Sequence, residues 1–337
     1  MEKKKVVIFG ATGNTGNYVT QYAKDFFDKN EFEVVATGRR ATDVFSTMGV
    51  KYYQVDITKE QDFDILPNNN IYAVIFLAAK IPSYMNKYDA KGYLETNIMG
   101  AFNVLEYCRK VKADRIIYTQ TVFDVSLAVE EGKKLDPYTD KAFSYKGDHA
   151  MYVISKNTAQ DLIRHYHEEY GLKSFIFRLP TIYNYSPYQY YFPNGVKTLR
   201  PVYRMINNAI EGKDLELWGD PNYSKDMVHV YDFAQMLCKA VLAQRDEGIY
   251  NVGTGMPVTM QEQMETIIEV FGDKEKSKIV YKPEKKSGGG FLMNIDNAIE
   301  ELGYKPVYNC KKLFENYKEE MEKNTFAELR LTYVKED

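Results

Sequence analysis

The sequence is short of cysteine, tryptophan and net charge. Three cysteines in 337 residues, Cys108, Cys238 and Cys310, lie far apart and form no CxxC or Cys/His cluster. That usage argues against a disulfide framework and a cysteine-based zinc site, suits a reducing compartment, and leaves each thiol as a small buried apolar group. No metal site is expected. A formal charge of -3 provides no basic field, so nucleic acid is not an expected partner. No apolar run approaches the roughly 20 residues of a membrane span. The basic stub Met1–Lys5 is followed by an apolar run, Val6–Phe9, too short for a secretory leader, so a cytoplasmic protein is expected. No internal repeat or low-complexity tract is visible. The single tryptophan, Trp218 in "LELWGD", is expected to pack in the core. Tyrosine, by contrast, occurs 29 times. It packs as an apolar ring yet offers a hydroxyl, which suits a polyhydroxylated ligand.

The first half alternates apolar runs with helically spaced segments. "KVVIFG", "FEVVATG", "YAVIFLAA", "DRIIYTQT" and "KSFIFRLP" read as strands. "NTGNYVTQYAKDFFDKN", "NIMGAFNVLEYCRKV" and "MYVISKNTAQDLIRHYHEEYG" read as helices, the last closed by Gly171. Strands that are apolar throughout and separated by helices imply an α/β fold whose parallel sheet is covered on both faces. After Arg178 the texture changes. "TIYNYSPYQYYFPNGVKTLRPVY" has no clean period and reads as a long functional loop. Helices follow in "VYRMINNAIEG", "YDFAQMLCKAVLA", "TMQEQMETIIEVFG" with Thr259 as N-cap, and Lys311–Lys323, with a breaker at "SGGGF" (287–291). The expected division is a dinucleotide-binding part over 1–180 and a mainly substrate-binding part over 181–337, the chain crossing back to the first sheet near 225–255.

A strand followed by Gly10-Ala11-Thr12-Gly13-Asn14-Thr15-Gly16 and a helix is the context of a dinucleotide turn. Glycines there permit the tight turn, the approach of backbone to pyrophosphate, and the seating of the helix on the strand. An acid at the end of the second strand would accept from a ribose 2'-hydroxyl. Here the chain has Gly38, Arg39 and Arg40, which suit a 2'-phosphate or simply face solvent. NADP is therefore slightly favoured over NAD. Asp56, ending the next short strand, either accepts from the adenine amino group or caps the helix after it.

"MYVISK" places Tyr152 and Lys156 one helical turn apart. A nearby ammonium lowers a phenol's pKa, so that the phenol can trade a proton with an alcohol while hydride moves to or from a nicotinamide. Together with "GATGNTG", "VDIT", "FLAA", "ETNIMGAFNVLEYC", "IIYTQTVFD", "FRLPTIYN", "LWGDPNYSKDMVHVYDFA", "IYNVGTG" and "AIEELGYKP", in that order over nearly the whole chain, this resembles the extended short-chain dehydrogenase/reductase superfamily. In particular it resembles its NAD-dependent epimerase/dehydratase family of nucleotide-sugar enzymes.

The resemblance implies a Rossmann-type doubly wound sheet with a smaller C-terminal α/β substrate-binding region. It implies Tyr152 as acid/base and Lys156 on the nicotinamide ribose. It implies Thr119 as the hydroxyl on the reacting oxygen, with Thr121 competing for that place. Asp56, Ile57, Leu77, Ala78, Ala79, Asn97 and Pro180 would lie along the cofactor, Asn97 more as a support. Lys80, Thr121, Asn184 and Lys225 would face the substrate, supplemented by Lys197, Arg200 and Arg204. His229 is expected as a packed structural histidine. Two departures stand out: Gln120 and Thr121 replace the Asp-Glu pair of the family's 4,6-dehydratases, and Lys225 replaces its diphosphate-binding Arg. The expected activity is epimerisation or reduction at a sugar carbon. The alternatives are an NADPH-dependent reductase of a non-nucleotide carbonyl and a non-catalytic NADP sensor. A homodimer through the helices at 97–111 and 152–170 is also implied.

Overall fold

A computed structural model describes residues 2–85, 87–147, 149–286 and 288–330. The predicted strands form one parallel sheet. Its members are β1 (Lys4–Phe9), β2 (Phe32–Gly38), β3 (Lys51–Gln54), β4 (Ile71–Phe76), β5 (Arg115–Thr121), β6 (Lys173–Leu179) and β7 (Glu247–Asn251), in spatial order β7-β6-β5-β4-β1-β2-β3. The order reverses beside β1, which pairs Val6 with Val34 on one side and with Ala73 on the other. Open parallel sheets bind ligands at such a switch point, beyond the carboxyl ends of the strands.

Side-chain alternation along the strands builds two cores. Val6, Ile8, Ile75, Ile117 and Phe177 face α1 (Gly16–Phe26) and a later helix that carries Phe233 and Leu237. Val7, Phe9, Val74, Phe76 and Ile116 face α2 (Gly100–Val111) and α3 (Ala150–Tyr170). α3 runs 21 residues and stops where Gly171 takes φ +68°, a left-handed cap that glycine adopts freely.

Beyond β6 the chain forms α4 (Pro201–Ile210), α5 (Val230–Leu242), α6 (Met260–Phe271), α7 (Asp296–Leu302) and α8 (Cys310–Lys323). The Thr259 hydroxyl caps α6 by accepting from Glu262 N at 3.0 Å. α5 packs against α1 and so belongs to the sheet. A third core of Tyr203, Leu217, Met264, Ile267, Phe314 and Tyr317 holds the remaining layer together. All three cysteines are buried and free, as expected.

Three expectations need correcting. The helix around Asn97 opens as a π-helical turn, Leu94–Met99, before it becomes α2. The unpatterned stretch after Arg178 is not all loop. It contains a hairpin of Tyr190–Tyr191 with Thr198–Leu199, too short to show a period. Trp218 lies at the surface, 41% exposed, because its Nε1 donates to Glu216 Oε2 at 2.9 Å and Lys285 Nζ sits 4.4 Å from its ring centroid. A strand that alternates inward Leu215 and Leu217 must turn Trp218 outward. Ser287, part of the "SGGGF" breaker, lies outside the described residues.

Candidate active site

The carboxyl ends of β1, β4, β5 and β6 converge at the switch point. Gly10 has φ +91°, and a Cβ on it would sit 2.6 Å from Ala78 N. A Cβ on Gly16 would sit 2.1 Å from Gly10 O, so α1 can rest on the loop only without a side chain. Gly13 N donates to Gly10 O at 2.9 Å, closing the turn. Thr12 lays its side chain over Gly38, where a Cβ would meet Thr12 Oγ1 at 2.4 Å. Thr15 precedes α1 without a side-chain cap; Asn17 N donates to Gly13 O at 3.4 Å and Tyr18 N to Asn17 Oδ1 at 2.7 Å, which seats the helix start on the loop. Asn17 Nδ2, buried just inside the helix, has no protein partner. A glycine cradle at a helix start and an orphaned buried amide beside it together fit a dinucleotide.

Phe9 O accepts from Leu77 N at 2.9 Å and Ala78 N at 3.1 Å, which folds Leu77–Ala79 alongside the glycine loop. Asn97 fastens the next residue. Its Oδ1 accepts from Lys80 N at 2.7 Å, and its Nδ2 donates to Lys80 O and to Ser155 Oγ of α3 at 3.0 and 2.9 Å. Asn97 is thus a brace between the cofactor edge and α3, and the π turn presents it there, a common use of π geometry at functional sites. Ile57 is buried under Gly100. Asp56 Oδ1 accepts from Thr58 N and Oγ1, closing a short turn, whereas the helical turn that follows, Glu60–Ile65, has Lys59 as its N-cap, so Asp56 does not cap it. Pro180 follows β6 directly.

Tyr152 and Lys156 stand on the first turns of α3. Lys156 is 3% exposed, its Nζ lies 4.1 Å from the Tyr118 ring centroid, and burial alone pushes its pKa down to about 7. Desolvation raises Tyr152 to about 12, a hydrogen bond with Thr121 opposes this, and the Asp124 charge adds to it. The Thr121 hydroxyl thus lies near enough to the phenol to lower its pKa, and it accepts from Phe123 N at 3.3 Å. Thr119, one residue pair back on β5, reaches toward Phe76 O at 3.5 Å. Gln120 points to the opposite face and ties Asn157 and Gln160 of α3 at 3.1 and 2.8 Å. In sequence, the positions of the dehydratase acid pair hold Gln120 and Thr121 and so carry no carboxylate.

An ammonium buried against an aromatic ring should show in stability. The unfolded chain keeps this proton up to about pH 10.5, whereas the folded chain releases it near 7. Between those values the stability of the cofactor-free protein therefore rises with pH, and the burial penalty is fully present below 7. Cofactor-free Lys156→Met should be more stable than wild type near pH 7 by a few kcal/mol, because a tenfold change in proton affinity is worth about 1.4 kcal/mol. The gain should shrink toward pH 10. Urea titrations at pH 7 and 9.5 check this, and a pH-independent difference rejects it.

Other expected site residues lie elsewhere or are engaged. Asn184 meets the glycine loop, donating to Asn14 O at 3.2 Å while Asn14 Nδ2 donates to its Oδ1 at 3.1 Å. Lys80 Nζ pairs with Asp89, in space that Gly92 leaves open. Lys225 lies on a short strand, Ser224–Lys225, paired with Val258–Thr259, under Gly290. Arg200 stacks its guanidinium 5.2 Å from the Tyr84 ring centroid, and Lys197 lies 4.9 Å from that of Tyr190. His229 is packed, as expected: it stacks on Tyr308 at 3.9 Å, and burial lowers its pKa to about 4. The Arg40 guanidinium donates to Thr12 O and Leu329 O rather than standing open to a 2'-phosphate. Arg39 remains exposed.

Two features escaped sequence reasoning. Asp124, 1% exposed, receives Arg178 Nε at 3.0 Å, and Arg178 also donates to Pro137 O at 2.7 Å. The only trace of it in sequence is the acid that closes "IIYTQTVFD". Beside Tyr152, whose ring centroid lies 6.0 Å from that of Tyr93, opens a cavity of about 360 Å³ walled by Pro82, Met85, Tyr88, Tyr93 and Phe192. Among the described residues no cluster of three or more His, Cys, Asp or Glu could hold a metal, and no helix is long and apolar enough to cross a membrane.

This arrangement defines a nicotinamide-dependent enzyme of the extended short-chain dehydrogenase/reductase type. The profile of the NAD dependent epimerase/dehydratase family matches residues 6–253, and the chain belongs to that family. A UDP-glucuronate 4-epimerase of Thermodesulfobacterium geofontis is 25% identical over 284 residues, 84% of this chain and 79% of that one. The UDP-N-acetylglucosamine 4-epimerase structure from Bacillus cereus superposes with TM-score 0.74 at 19% identity, covering 95% of this chain and 99% of that one. The UDP-glucuronic acid 4-epimerase of the same organism in complex with NAD gives 0.72 at 18% identity, covering 95% and 99%. The structural likenesses establish the shared fold.

Proposed function

We propose that the chain is an NAD-dependent epimerase that inverts a ring carbon of a nucleotide-diphosphate sugar. The observation that supports this reading is that α3, which carries Tyr152 and Lys156, is braced by Asn97 to the strand end beside the glycine loop, at the sheet's switch point and without the acid pair needed for dehydration. Bound NAD supplies a hydride acceptor and donor. Tyr152 takes the proton of the sugar hydroxyl as its carbon is oxidised and gives it back when the carbon is reduced on its other face. Thr121 orients the phenol, and Lys156 supplies positive charge that favours the phenolate. The apolar walls around Tyr93 and Phe192 suit the faces of a sugar ring. Residues 1–180 then serve mainly the cofactor and 181–337 mainly the substrate.

NAD rather than NADP follows from Arg40, which spends its fork on two backbone carbonyls. The decisive assay incubates purified protein, without added cofactor, with a panel of uridine-diphosphate sugars. Appearance of an epimer with no net change in NADH supports the reading. Stoichiometric consumption of NADPH with a keto substrate overturns it in favour of a reductase.

The implied homodimer has a matching surface. Met99 and Phe102, one turn apart, are 52% and 39% exposed on the face that α2 shows to solvent beside α3. Phe102→Asp should convert a dimer into a monomer in light scattering. An unchanged mass would place the interface elsewhere.

A further inference from the structure

The end of β2 is where the adenosine ribose is read in a dinucleotide-binding fold. Here the chain's own C-terminal segment reaches that place. The Arg40 guanidinium donates through Nη2 to Thr12 O in the glycine loop and through Nη1 to Leu329 O, 289 residues away in sequence. One planar side chain thus joins the pyrophosphate loop to the segment that follows α8.

That segment is firmly seated. Asn324 ends α8 with φ +48°, and Phe326 takes φ +56°, so the chain reverses sharply. The Phe326 ring meets Tyr18 of α1 edge to face, centroids 5.1 Å apart. Asn324 Oδ1 accepts from Tyr185 OH at 3.1 Å, and Tyr18 OH in turn donates to Tyr185 O at 3.3 Å. Leu329, 2% exposed, joins the core between α1 and the sheet. Arg40 is held from its own backbone as well, its carbonyl accepting from Tyr52 OH.

We infer that residues 324–330 form a strap which, through Arg40, closes the adenosine end of the cofactor site, retaining NAD through the catalytic cycle and refusing a 2'-phosphate. Charge-assisted bonds to two backbone carbonyls tie the glycine loop to a buried segment, so releasing the dinucleotide requires parting them. The Leu329 carbonyl brings the negative end of a dipole to the side where a 2'-phosphate would lie, and the arginine that would bind that phosphate is occupied. The inference extends the epimerase reading, since such a reaction returns its hydride to the same sugar and has no need to exchange cofactor.

The experiment uses the full chain and no sugar, so its outcome is separate from the epimerase assay. Wild type, Leu329→Glu and Arg40→Ala are loaded with NAD, desalted, and followed for NAD release, and the thermal shift with NAD and with NADP is recorded for each. Both variants should release NAD at least tenfold faster than wild type. Leu329→Glu, whose charged side chain cannot stay in the buried Leu329 seat and so displaces the segment from Arg40, should gain a shift with NADP that Arg40→Ala does not. Release within twofold of wild type in both variants overturns the strap. Equal thermal shifts of wild type with NADP and NAD overturn the exclusion of the 2'-phosphate. Should Leu329→Glu fail to give native circular dichroism, Arg40→Lys takes its place: it keeps the charge without the fork and should release NAD faster, and wild-type retention there overturns the strap.

Discussion

Tyr152→Phe should cut turnover by two to four orders of magnitude while leaving the fold and NAD binding intact. The substitution removes one oxygen and nothing else. The ring keeps its place beside Tyr93, centroids 6.0 Å apart, and Lys156 keeps its seat over Tyr118. What disappears is the phenol proposed to exchange a proton with a substrate hydroxyl. General acid–base groups contribute roughly 10²- to 10⁴-fold, so kcat should fall by that order with little change in KM. Thr121→Val should lower kcat less, by about ten- to a hundredfold on the same scale, because it removes the hydroxyl that supports the phenol and leaves the phenol itself. Thr119→Val is the informative contrast. Its hydroxyl faces Phe76 O, so a loss equal to that of Thr121→Val would mean that substrate binding turns Thr119 toward the reacting oxygen. Turnover undiminished in Tyr152→Phe removes the tyrosine from the chemistry altogether.

The second large effect is expected at a residue that touches no cofactor. Asp124→Ala strands the Arg178 guanidinium, 5% exposed, among the Pro137 and Thr139 carbonyls and the Asn251 amide. Removing one partner of a buried ion pair costs about 3–5 kcal/mol, because the remaining charge is left uncompensated. A urea titration of the cofactor-free protein should show that loss, and the double variant Asp124→Leu with Arg178→Met should recover much of it. Asp124→Asn carries a second reading. The Asp124 charge raises the Tyr152 pKa, so its neutralisation should move the rising limb of the activity profile, where the phenol becomes a base, to lower pH. A stability unchanged within about 1 kcal/mol in Asp124→Ala, well below the cost of a stranded charge, rejects the clamp.

The legible parts of this protein were those governed by local pattern. The strand "FEVVATG" and the helix ending at Gly171 formed where the apolar runs and the glycine put them, because a parallel strand buried on both faces must be apolar throughout and a left-handed cap favours glycine. The glycine loop and the Tyr152–Lys156 turn were equally visible, since each depends on residues close in sequence. Trp218 was misread because one residue's exposure depends on which face its strand buries, and four residues carry too little pattern to say.

Arg40 marks the limit more sharply. Its identity and its place at the end of β2 were plain, and on those grounds it suited a 2'-phosphate. Its actual partners, Thr12 O and Leu329 O, lie 28 and 289 residues away. Asp124 with Arg178, and Asn14 with Asn184, are likewise joined across 54 and 170 residues. The sequence by itself determined the parallel α/β sheet, the glycine turn after β1 and the placing of Tyr152 and Lys156 one turn apart on α3, because spacing along one helix or one turn decides them. Only the tertiary structure decided which face of β5 each threonine takes, which charges are spent on neighbours, and where the segment after α8 comes to lie. Those outcomes depend on competition for partners among segments that meet only after the sheet has closed.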